Sequence, residues 1–509
     1  MKKNLADTPV MMPLFLHQRA QLTPERLAYL TEDRQLNFRE LDQLARRFAA
    51  SLADRGVHSG ETIAVLQENS IAFVLTQHAL MYLGAVCVPL NLRLTAEELT
   101  SQVRDSTCSQ LITDSANQEK AERIIAASAC RLLMTRELIA ESNRAEKRPN
   151  PSLRQEVCLD EPCTIIYTSG TTGHPKGVVL TYGNHWWNAN ASLINLGLRQ
   201  EDVWLCCVPL FHVSGLSILM KNVIYGMPVF LCRRFIPEQI NERIFKGQVT
   251  HVSLVASTLQ RVLDCSEDDP FPSSFRCVLL GGGPVPSILS RRCLERNIPV
   301  YQTYGMTETA SQCVTLPPEY MITKAGSAGK PLFPLQLRIM SDAQEASSGE
   351  PGEIQIKGPT VFNHYLNRDQ ATREAFTDGW FRTGDIGYRD ADGFLFVLDR
   401  RQDLIISGGE NVYPAEVESA LRLDPNVTGA GVIGIADEQW GQVPVAFVSM
   451  HWPDQFSETV LIKACRKHLA GYKVPKHIRL IDQIPENASH KVLRRKLQEI
   501  WNADHSVKK

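Results

Sequence analysis

A glycine- and hydroxyl-rich segment that directly follows an apolar run constrains this chain more than any other feature. Residues 163–166 are apolar or β-branched, a pattern typical of a buried strand. The next segment, 167–177, reads YTSGTTGHPKG and offers little to bury. Glycines let the main chain approach a ligand, while hydroxyls and bare N–H groups bind phosphate oxygens. The pattern predicts a phosphate-binding loop, but not a Walker loop, which requires Ser or Thr where Gly177 follows Lys176.

Length and composition indicate a protein of two or more domains whose ligands are small molecules. The chain has 509 residues, more than one hydrophobic core usually covers, and a net charge of −2. This charge gives no basis for binding nucleic acid or an anionic membrane surface. The 13 cysteines include no C-x-x-C pair, which favours free thiols in the reducing cytoplasm. The most apolar long stretch, 203–220, is interrupted by polar residues, glycine and proline, so no membrane span is predicted.

Strands and helices alternate along the first part of the chain, which is typical of an α/β fold with parallel strands. A hairpin is predicted over 27–38, and residues 115–160 are predicted to form a polar connecting region. The other predicted strands lie at 62–66, 85–90, 110–113, 204–208, 229–231, 251–255, 277–280 and 300–302, and the predicted helices near 41–52, 70–83, 95–105 and 184–198.

Four polar or glycine-rich loops follow predicted strands, at 168–177, 209–215, 281–284 and 304–308. In an open α/β sheet, ligands bind outside the carboxyl ends of the strands. We therefore expect the four loops to converge on one crevice, which favours a binding site over a set of flexible surface loops.

The pattern changes after residue 328, where short strands alternate with turns as in a small β-barrel-like unit. Charges crowd residues 399–403, and the last hundred residues alternate as helix, strand, strand, helix, strand and helix. The predicted organisation is a large N-terminal domain over 1–400, made of layered α/β subdomains and the small β unit. A small α+β domain over 401–509 follows it.

Polar groups suited to a nucleotide occur on the strand-end loops. Gly282-Gly283-Pro284 could lie flat against a purine beside the Tyr304 ring, and Glu308 is a hard oxygen ligand for Mg²⁺. Asp385 could accept both ribose hydroxyls, with Arg400 near the sugar or a phosphate. Each also has a structural interpretation: Tyr304 as core, Glu308 and Arg400 as solvated charges, and Asp385 as a turn residue.

These segments together resemble the adenylate-forming enzymes, which comprise acyl-CoA synthetases, luciferases and peptide-synthetase adenylation domains. The matching segments are YTSGTTGHPKG (167–177), YGMTE (304–308), TGD (383–385), the arginine-rich stretch 399–403 and Lys491. The resemblance implies ATP, Mg²⁺ and CoA as ligands and a two-step reaction, in which a carboxylate is adenylated and then transferred to a thiol. It also implies that the small C-terminal domain is mobile and rotates between the steps.

The resemblance assigns roles to individual residues. Lys491 would be the catalytic lysine of adenylation, assisted by Thr307, Glu308 and His212. Ser407, Gly408 and Gly409 would meet CoA, and Gln402 would be the hinge, although many relatives have Asp there. The implied metal ligands are Glu308 and Thr168. The implied ATP-binding residues are Thr168, Ser169, Gly170, Thr171, Thr172, Gly173, Lys176, Gly282, Gly283, Pro284, Tyr304, Gly305, Met306, Thr307, Asp385, Arg400 and Lys491.

The segment PLFHVSGL (209–216) bears on which acid is used. Amino-acid-activating relatives usually have an Asp in this region to hold the ammonium, whereas this chain has His212 and Ser214. Within the family, the segments 183–198, 209–227 and 304–316 resemble those of ligases that join 2-succinylbenzoate to CoA in menaquinone biosynthesis. The implied acid-binding residues are His212, Ser214, Ile218, Lys221 and Gly281.

Lys221 is the candidate partner of the aromatic carboxylate of that acid, because an unpaired buried charge is costly. A helix beginning at Ser214 would put Ser214 and Lys221 on one face. The alternative is that Lys221 is a solvated surface lysine. The acid could also be another aryl or medium-chain carboxylate, and a catalytically silent nucleotide-binding protein is a further alternative. The sequence leaves open whether the chain forms a homo-oligomer.

Overall fold

The computed structural model describes residues 9–144, 153–168, 175–266, 270–282, 285, 287–341, 344–399, 404–485 and 492–506, without the side chains at 287, 288, 399, 415 and 504–506. The chain divides into two compact units. The first comprises Met1–Leu92, Thr100–Tyr167 and Gly177–Leu398, and the second comprises Arg93–Leu99, Thr168–Lys176 and Asp399–Lys509.

The first part of the chain alternates between strands and helices as predicted. Its strands are β1 (Met11–Pro13), β2 (Leu27–Leu30), β3 (Gln35–Asn37), β4 (Thr62–Leu66), β5 (Val86–Pro89), β6 (Gln110–Thr113), β7 (Arg131–Met134), β8 (Glu156–Cys158), β9 (Pro162–Thr168) and β10 (Lys176–Thr181). Its helices are α1 (Phe15–Leu22), α2 (Phe38–Asp54), α3 (Ile71–Leu83), α4 (Ala96–Asp105), α5 (Gln118–Ala126) and α6 (Thr135–Arg144).

Strands β4 to β7, β9 and β10 belong to one sheet, in the order β10, β9, β5, β4, β6, β7. The pairings of β4 with β5 and β6, and of β6 with β7, are parallel. The prediction of a featureless connection over 115–160 is wrong, because α5, β7 and α6 continue the alternation. Strand β7 has only four residues and its first, Arg131, is exposed, so its sequence resembles a loop.

The middle of the chain forms a second sheet, in the order β17, β16, β15, β14, β13, β11, β12, β2, β3. The predicted hairpin of β2 and β3 forms one edge of this sheet. Strands β11 to β15 pair in parallel, whereas β16 runs antiparallel to β15. The elements are α7 (Tyr182–Leu196), β11 (Trp204–Cys206), α8 (Val213–Tyr225), β12 (Val229–Leu231), α9 (Pro237–Phe245), β13 (His251–Val255), α10 (Ala256–Asp264), β14 (Cys277–Gly281), α11 (Ser287–Glu295), β15 (Val300–Met306), β16 (Ser311–Leu316) and β17 (Lys330–Pro331).

A third, antiparallel sheet completes the first unit and contains the TGD segment. Its order is β19, β18, β20, β23, β22, with β24 also paired to β23, and β21 instead joins the first sheet beside β10. The elements are β18 (Gln336–Ser341), β19 (Gln344–Glu345), β20 (Gly352–Lys357), β21 (His364–Tyr365), α12 (Asp369–Ala375), β22 (Phe376–Thr377), β23 (Trp380–Arg389) and β24 (Leu395–Asp399).

The C-terminal part of the second unit has a five-stranded sheet with its own hydrophobic core. The predicted alternation of helices and strands is found there, preceded by a hairpin. The elements are β25 (Ile405–Ser407), β26 (Glu410–Val412), α13 (Pro414–Leu421), β27 (Val427–Asp437), β28 (Gly441–Met450), α14 (Glu458–His468), β29 (His477–Leu480) and α15 (Arg494–Ser506). The predicted fold class, a mixed α/β chain with a large N-terminal and a small C-terminal domain, is confirmed. Over the described parts of both units, every helix is too short or too polar to cross a membrane.

Candidate functional site

Two of the predicted nucleotide residues are in direct contact. The hydroxyl of Tyr304, at the end of β15, donates a hydrogen bond of 2.7 Å to Oδ2 of Asp385 on β23. Both side chains are buried, and the pKa of Tyr304 is raised well above its usual range by burial and by the Asp385 carboxylate. The Thr383 hydroxyl accepts a hydrogen bond from the Asp385 main chain, so the neighbouring threonine fixes the turn. Tyr304 packs in the hydrophobic core, as its structural interpretation predicted, and its hydroxyl orients the Asp385 carboxylate, whose contact with a ribose stays a prediction.

Glu308 is buried rather than solvated, so the solvated interpretation is wrong. It lies in a short 3₁₀ turn, Thr307–Thr309, directly after β15. The Tyr365 hydroxyl donates a 2.9 Å hydrogen bond to Glu308 Oε1, which orients the carboxylate. The main-chain carbonyl of Glu308 accepts from the Phe362 N–H at 2.8 Å. An oriented carboxylate of this kind fits a Mg²⁺ ion that is also bound by phosphate oxygens.

The turn that contains Thr307 is held in place from two sides. Asn188 of α7 donates through Nδ2 to the carbonyls of Thr309 and Gln312, at 3.2 and 2.9 Å. Gly305 lets β16 approach, because a Cβ at this position would collide with the Ser311 carbonyl oxygen. The turn is therefore rigid before any ligand binds, which is the condition for electrostatic preorganisation.

The carboxyl ends of β14 and β15 lie side by side. Gly281 ends β14, and a Cβ there would be 3.3 Å from the methyl group of Thr303 on β15. Gly282 follows with a φ of +85°, a conformation that glycine adopts readily. This edge presents bare main chain, as predicted for contact with a flat base or an acyl chain.

Helix α8 presents the predicted acid-binding residues and begins with His212 as its N-cap. The loop before it is fixed by Asn69, whose side chain donates to the Val208 carbonyl and accepts from the Leu210 N–H, both at 2.9 Å. The half-buried His212 ring lies 4.6 Å from the Phe211 ring. Ser214 is exposed and Ile218 is buried, so only part of this set faces the protein interior.

Lys221 is not the solvated surface lysine considered as an alternative, since its side chain is only 1% exposed. Its Nζ lies 4.7 Å from the centre of the Trp204 ring, a cation–π distance. Within the described chain, no carboxylate lies within ion-pair distance of this ammonium. Burial lowers the pKa of Lys221 to about 8.

The carboxylate closest along the chain to this region is already paired. Asp202, two residues before Trp204, forms a buried ion pair with Arg276. His251, which faces Trp204 across the sheet, lies 3.8 Å from the other oxygen of Asp202. Burial lowers the pKa of His251 to about 4, so this imidazole is neutral near pH 7. The positive charge of Lys221 therefore remains available for a ligand.

In the second unit, the predicted CoA segment has a clear local explanation. Gly408 and Gly409 connect β25 to β26 with φ values of +58° and +84°, as a two-residue hairpin turn requires. The Gly408 N–H donates to the Trp440 carbonyl at 2.7 Å, and Ser407 is buried. The glycine pair is thus explained by the turn, and its contact with CoA stays a prediction.

Thr168 and Lys176 lie at the two ends of the predicted phosphate loop. Thr168 ends β9, Lys176 begins β10, and the Thr168 hydroxyl donates to the Lys176 carbonyl at 3.4 Å. The predicted residues that lie outside the described part of the chain are Ser169, Gly170, Thr171, Thr172, Gly173, Gly283, Pro284, Arg400, Gln402 and Lys491.

Sequence reasoning missed several residues that hold the site together, among them Asn188, Tyr365 and Trp204. The sequence held a signal for Asn188, because asparagines recur one helical turn apart at 184 and 188. In the structure, Asn184 also donates to main-chain carbonyls, those of Pro359 and Val361. Tyr365 had none, since its partner Glu308 is 57 residues away in sequence. Among the described side chains, no group of three or more His, Cys, Asp or Glu residues could hold a metal ion alone.

Comparisons with known proteins agree with this geometry. Residues 16–366 match the family described as AMP-binding enzyme, and residues 416–491 match the AMP-binding enzyme C-terminal domain. The chain is 50% identical over 489 residues to the 2-succinylbenzoate–CoA ligase of Geobacillus sp. (strain WCH70), covering 96% of this chain and 97% of that protein.

Two solved structures of the Bacillus subtilis o-succinylbenzoate CoA synthetase are also similar. A double mutant bound to its product analogue is 45% identical, with a TM-score of 0.91 over 96% of this chain and 99% of that one. A complex with ATP and a magnesium ion is 44% identical, with a TM-score of 0.74 over 96% of this chain and 100% of that one.

Proposed function

Because this chain belongs to the AMP-binding enzyme family, we propose that it ligates 2-succinylbenzoate to CoA at the expense of ATP. In the first step, an oxygen of the succinyl carboxylate attacks the α-phosphorus of ATP and pyrophosphate leaves. In the second, the CoA thiol attacks the acyl carbonyl and AMP leaves, giving 2-succinylbenzoyl-CoA. All three substrates are small molecules, and the proposed location of the reaction is the cytoplasm.

The first step gathers negative charge around the α-phosphate, and positive groups and hydrogen-bond donors lower its barrier. Glu308 would be the residue that holds Mg²⁺, and the ion would supply positive charge to offset part of that negative charge. Thr307 offers a hydroxyl and a main-chain N–H from the rigid turn, and Lys491 is assigned the role of the cation at the reacting phosphate. Asp385 holds the ribose and Tyr304 holds Asp385.

The acid is bound through its second carboxylate, and the observation that supports this most strongly is Lys221. A buried ammonium with no carboxylate partner in the described chain is costly unless a ligand supplies one. The aromatic carboxylate of 2-succinylbenzoate would do so, whereas a monocarboxylic acid would leave the charge unpaired after its only carboxylate is adenylated. The site therefore favours an acid with two carboxylates over a simple aryl or medium-chain acid.

The test is product analysis with ATP, CoA and one acid at a time. We expect a thioester of the mass of 2-succinylbenzoyl-CoA, with one AMP formed per thioester. Benzoate and octanoate, which lack the second carboxylate, should give less than about a hundredth of that rate, because they leave Lys221 unpaired. Equal rates with octanoate would refute the proposed acid but not the ligase chemistry, and no thioester with any acid would refute both.

A further inference from the structure

Tyr167 opens the motif of the predicted phosphate loop but has no assigned role in the reaction. It is the last residue but one of β9, and Gly177, at the other end of the motif, is the second residue of β10. These two strands are neighbours in the first sheet. The two residues therefore mark the points at which the chain enters and leaves the loop.

The half-buried ring of Tyr167 lies against the main chain of Gly177, because a Cβ on Gly177 would be 3.2 Å from Tyr167 Cζ. The Tyr167 hydroxyl donates a hydrogen bond of 2.8 Å to Oδ2 of Asp105, the last residue of α4. Burial and the nearby carboxylate raise the pKa of Tyr167 above its usual value, so the hydroxyl keeps its proton and remains a donor. This side chain thus joins the start of the loop to its end and to a helix.

Residues 366–368 hold the same contact from the other side. The Leu366 N–H donates to the Gly177 carbonyl at 2.8 Å. Asn367 Nδ2 donates to the Asp105 carbonyl at 2.8 Å, and Arg368 Nη2 lies 2.9 Å from Asp105 Oδ1. All of these residues belong to the first unit. Both oxygens of the Asp105 carboxylate therefore have a partner, and the two ends of the loop are tied to one segment.

A phosphate-binding loop is most effective when its ends are fixed before the ligand arrives. Fixed ends lower the entropy cost of ordering the loop on the ligand and hold its donors where charge develops. In the proposed reaction, Thr307 and Lys491 act at the α-phosphate, so the loop is left to bind the pyrophosphate that departs. We propose that Tyr167 is a positioning residue, whose hydrogen bond to Asp105 holds the two ends of the loop at the spacing that the pyrophosphate part of ATP requires. This proposal rests on the function proposed above.

The test variant is Tyr167→Phe, which keeps the ring and removes only the donor to Asp105. Acid-dependent exchange of labelled pyrophosphate into ATP gives the KM for ATP and the KM for pyrophosphate. A second assay starts from preformed 2-succinylbenzoyl adenylate and CoA, a step in which no pyrophosphate takes part. The second assay separates an effect on the loop from general damage to the protein.

Tyr82→Phe is the matched control. Tyr82 is buried, its hydroxyl also donates to a carboxylate, that of Asp42, and Asp42 pairs with Arg46 at 2.9 Å. Tyr82 lies on α3 and Asp42 on α2. The control therefore loses the same kind of hydrogen bond at a contact that involves neither end of the loop.

We expect Tyr167→Phe to raise the KM for ATP and the KM for pyrophosphate about 3- to 10-fold, the usual net effect of one hydrogen bond. Thioester formation from the adenylate should match that of the wild type. Tyr82→Phe should match the wild type in all of these kinetic values, at a lower unfolding temperature. Asp105→Ala alone and combined with Tyr167→Phe should raise the two KM values equally, because substitutions that remove one shared contact are not additive.

Unchanged KM values for ATP and pyrophosphate in Tyr167→Phe would overturn the proposal, as would an equal rise in Tyr82→Phe. An equal loss of thioester formation would show that Tyr167 only stabilises the fold. Additive effects of the two substitutions would show that Tyr167 does not act through Asp105. The wild-type data separately test the proposed function, since exchange with no acid would refute that function and this proposal together.

Discussion

The Tyr304 hydroxyl lies 2.7 Å from the Asp385 carboxylate, and this contact joins two motifs that are 81 residues apart in the sequence. One motif ends a strand of the second sheet, and the other lies within the third sheet. The contact makes the proposed ribose-binding role of Asp385 depend on a residue predicted only to offer an aromatic face.

Replacing Tyr304 with Phe keeps the ring but removes the donor to Asp385. The buried carboxylate then loses a hydrogen bond, which costs about 1–3 kcal/mol. We expect a KM for ATP raised by about 5- to 100-fold and a lower unfolding temperature, with the KM for the acid unchanged. Tyr320→Phe is the control, because Tyr320 is 40% exposed. Unchanged ATP kinetics in Tyr304→Phe would remove Asp385 from the nucleotide site.

Replacing Tyr365 with Phe tests the metal site. The variant loses the 2.9 Å hydrogen bond to Glu308, so the carboxylate is no longer oriented. Loss of a side chain that hydrogen-bonds to a metal ligand typically weakens metal affinity by about 10- to 100-fold. We expect exchange activity to require correspondingly more Mg²⁺ and to recover at high Mg²⁺. A uniform loss of activity that Mg²⁺ does not restore would show that Tyr365 does not act through the metal.

Replacing Lys221 with Met tests the binding of the second carboxylate. Met has a similar length, stays apolar over Trp204 and leaves no unpaired charge. We expect the KM for 2-succinylbenzoate to rise about 10- to 100-fold, the cost of losing a charged hydrogen bond, while the KM for ATP stays constant. The unliganded variant should unfold at a higher temperature than the wild type. An unchanged acid KM would place Lys221 outside the acid site.

The same lysine predicts a pH dependence. Burial lowers its pKa from 10.5 to about 8, so between these values the unfolded chain binds the proton and the unliganded folded protein does not. The free energy of unfolding should therefore rise with pH over this window relative to Lys221→Met. Acid binding needs the ammonium, so the wild-type KM for the acid should rise above about pH 8. A pH-independent difference between the two proteins would contradict this assignment.

Lys491→Ala separates the two half-reactions. We expect the formation of the adenylate to fall by at least about a hundredfold, the usual effect of removing one transition-state partner. Thioester formation from preformed 2-succinylbenzoyl adenylate should be largely spared. Lys496→Ala is the control, because Lys496 is exposed on α15. Equal loss of both steps would contradict the role of Lys491.

Local patterns predicted much of the fold because the spacing of apolar residues within a single segment distinguishes a helix from a strand. Helix α2 is an example: a helix was predicted near 41–52, and Leu41, Phe48 and Leu52 are buried while Leu44 is half-buried. Asn37 forms a capping box with Glu40. The prediction for 115–160 was wrong because β7, an edge strand of four residues, is too short to show an alternation of apolar and polar residues.

The sequence predicted the motifs of the candidate site but not the residues that hold those motifs in place. Glu308 was predicted as an oxygen ligand of Mg²⁺ and Asp385 as an acceptor for ribose hydroxyls, whereas Tyr365 is placed by pairings of distant strands that no local pattern encodes. Lys221 shows the same limit. Helical spacing placed it on one face with Ser214, but its burial depends on Trp204, which comes from a strand of another segment.

The most direct test of the whole account is acid-dependent exchange of labelled pyrophosphate into ATP in the absence of CoA. We expect rapid exchange with 2-succinylbenzoate, none without acid, and strongly reduced exchange when the aromatic carboxylate is replaced by hydrogen. Exchange that is equally fast without that carboxylate, or absent with every acid, would contradict it.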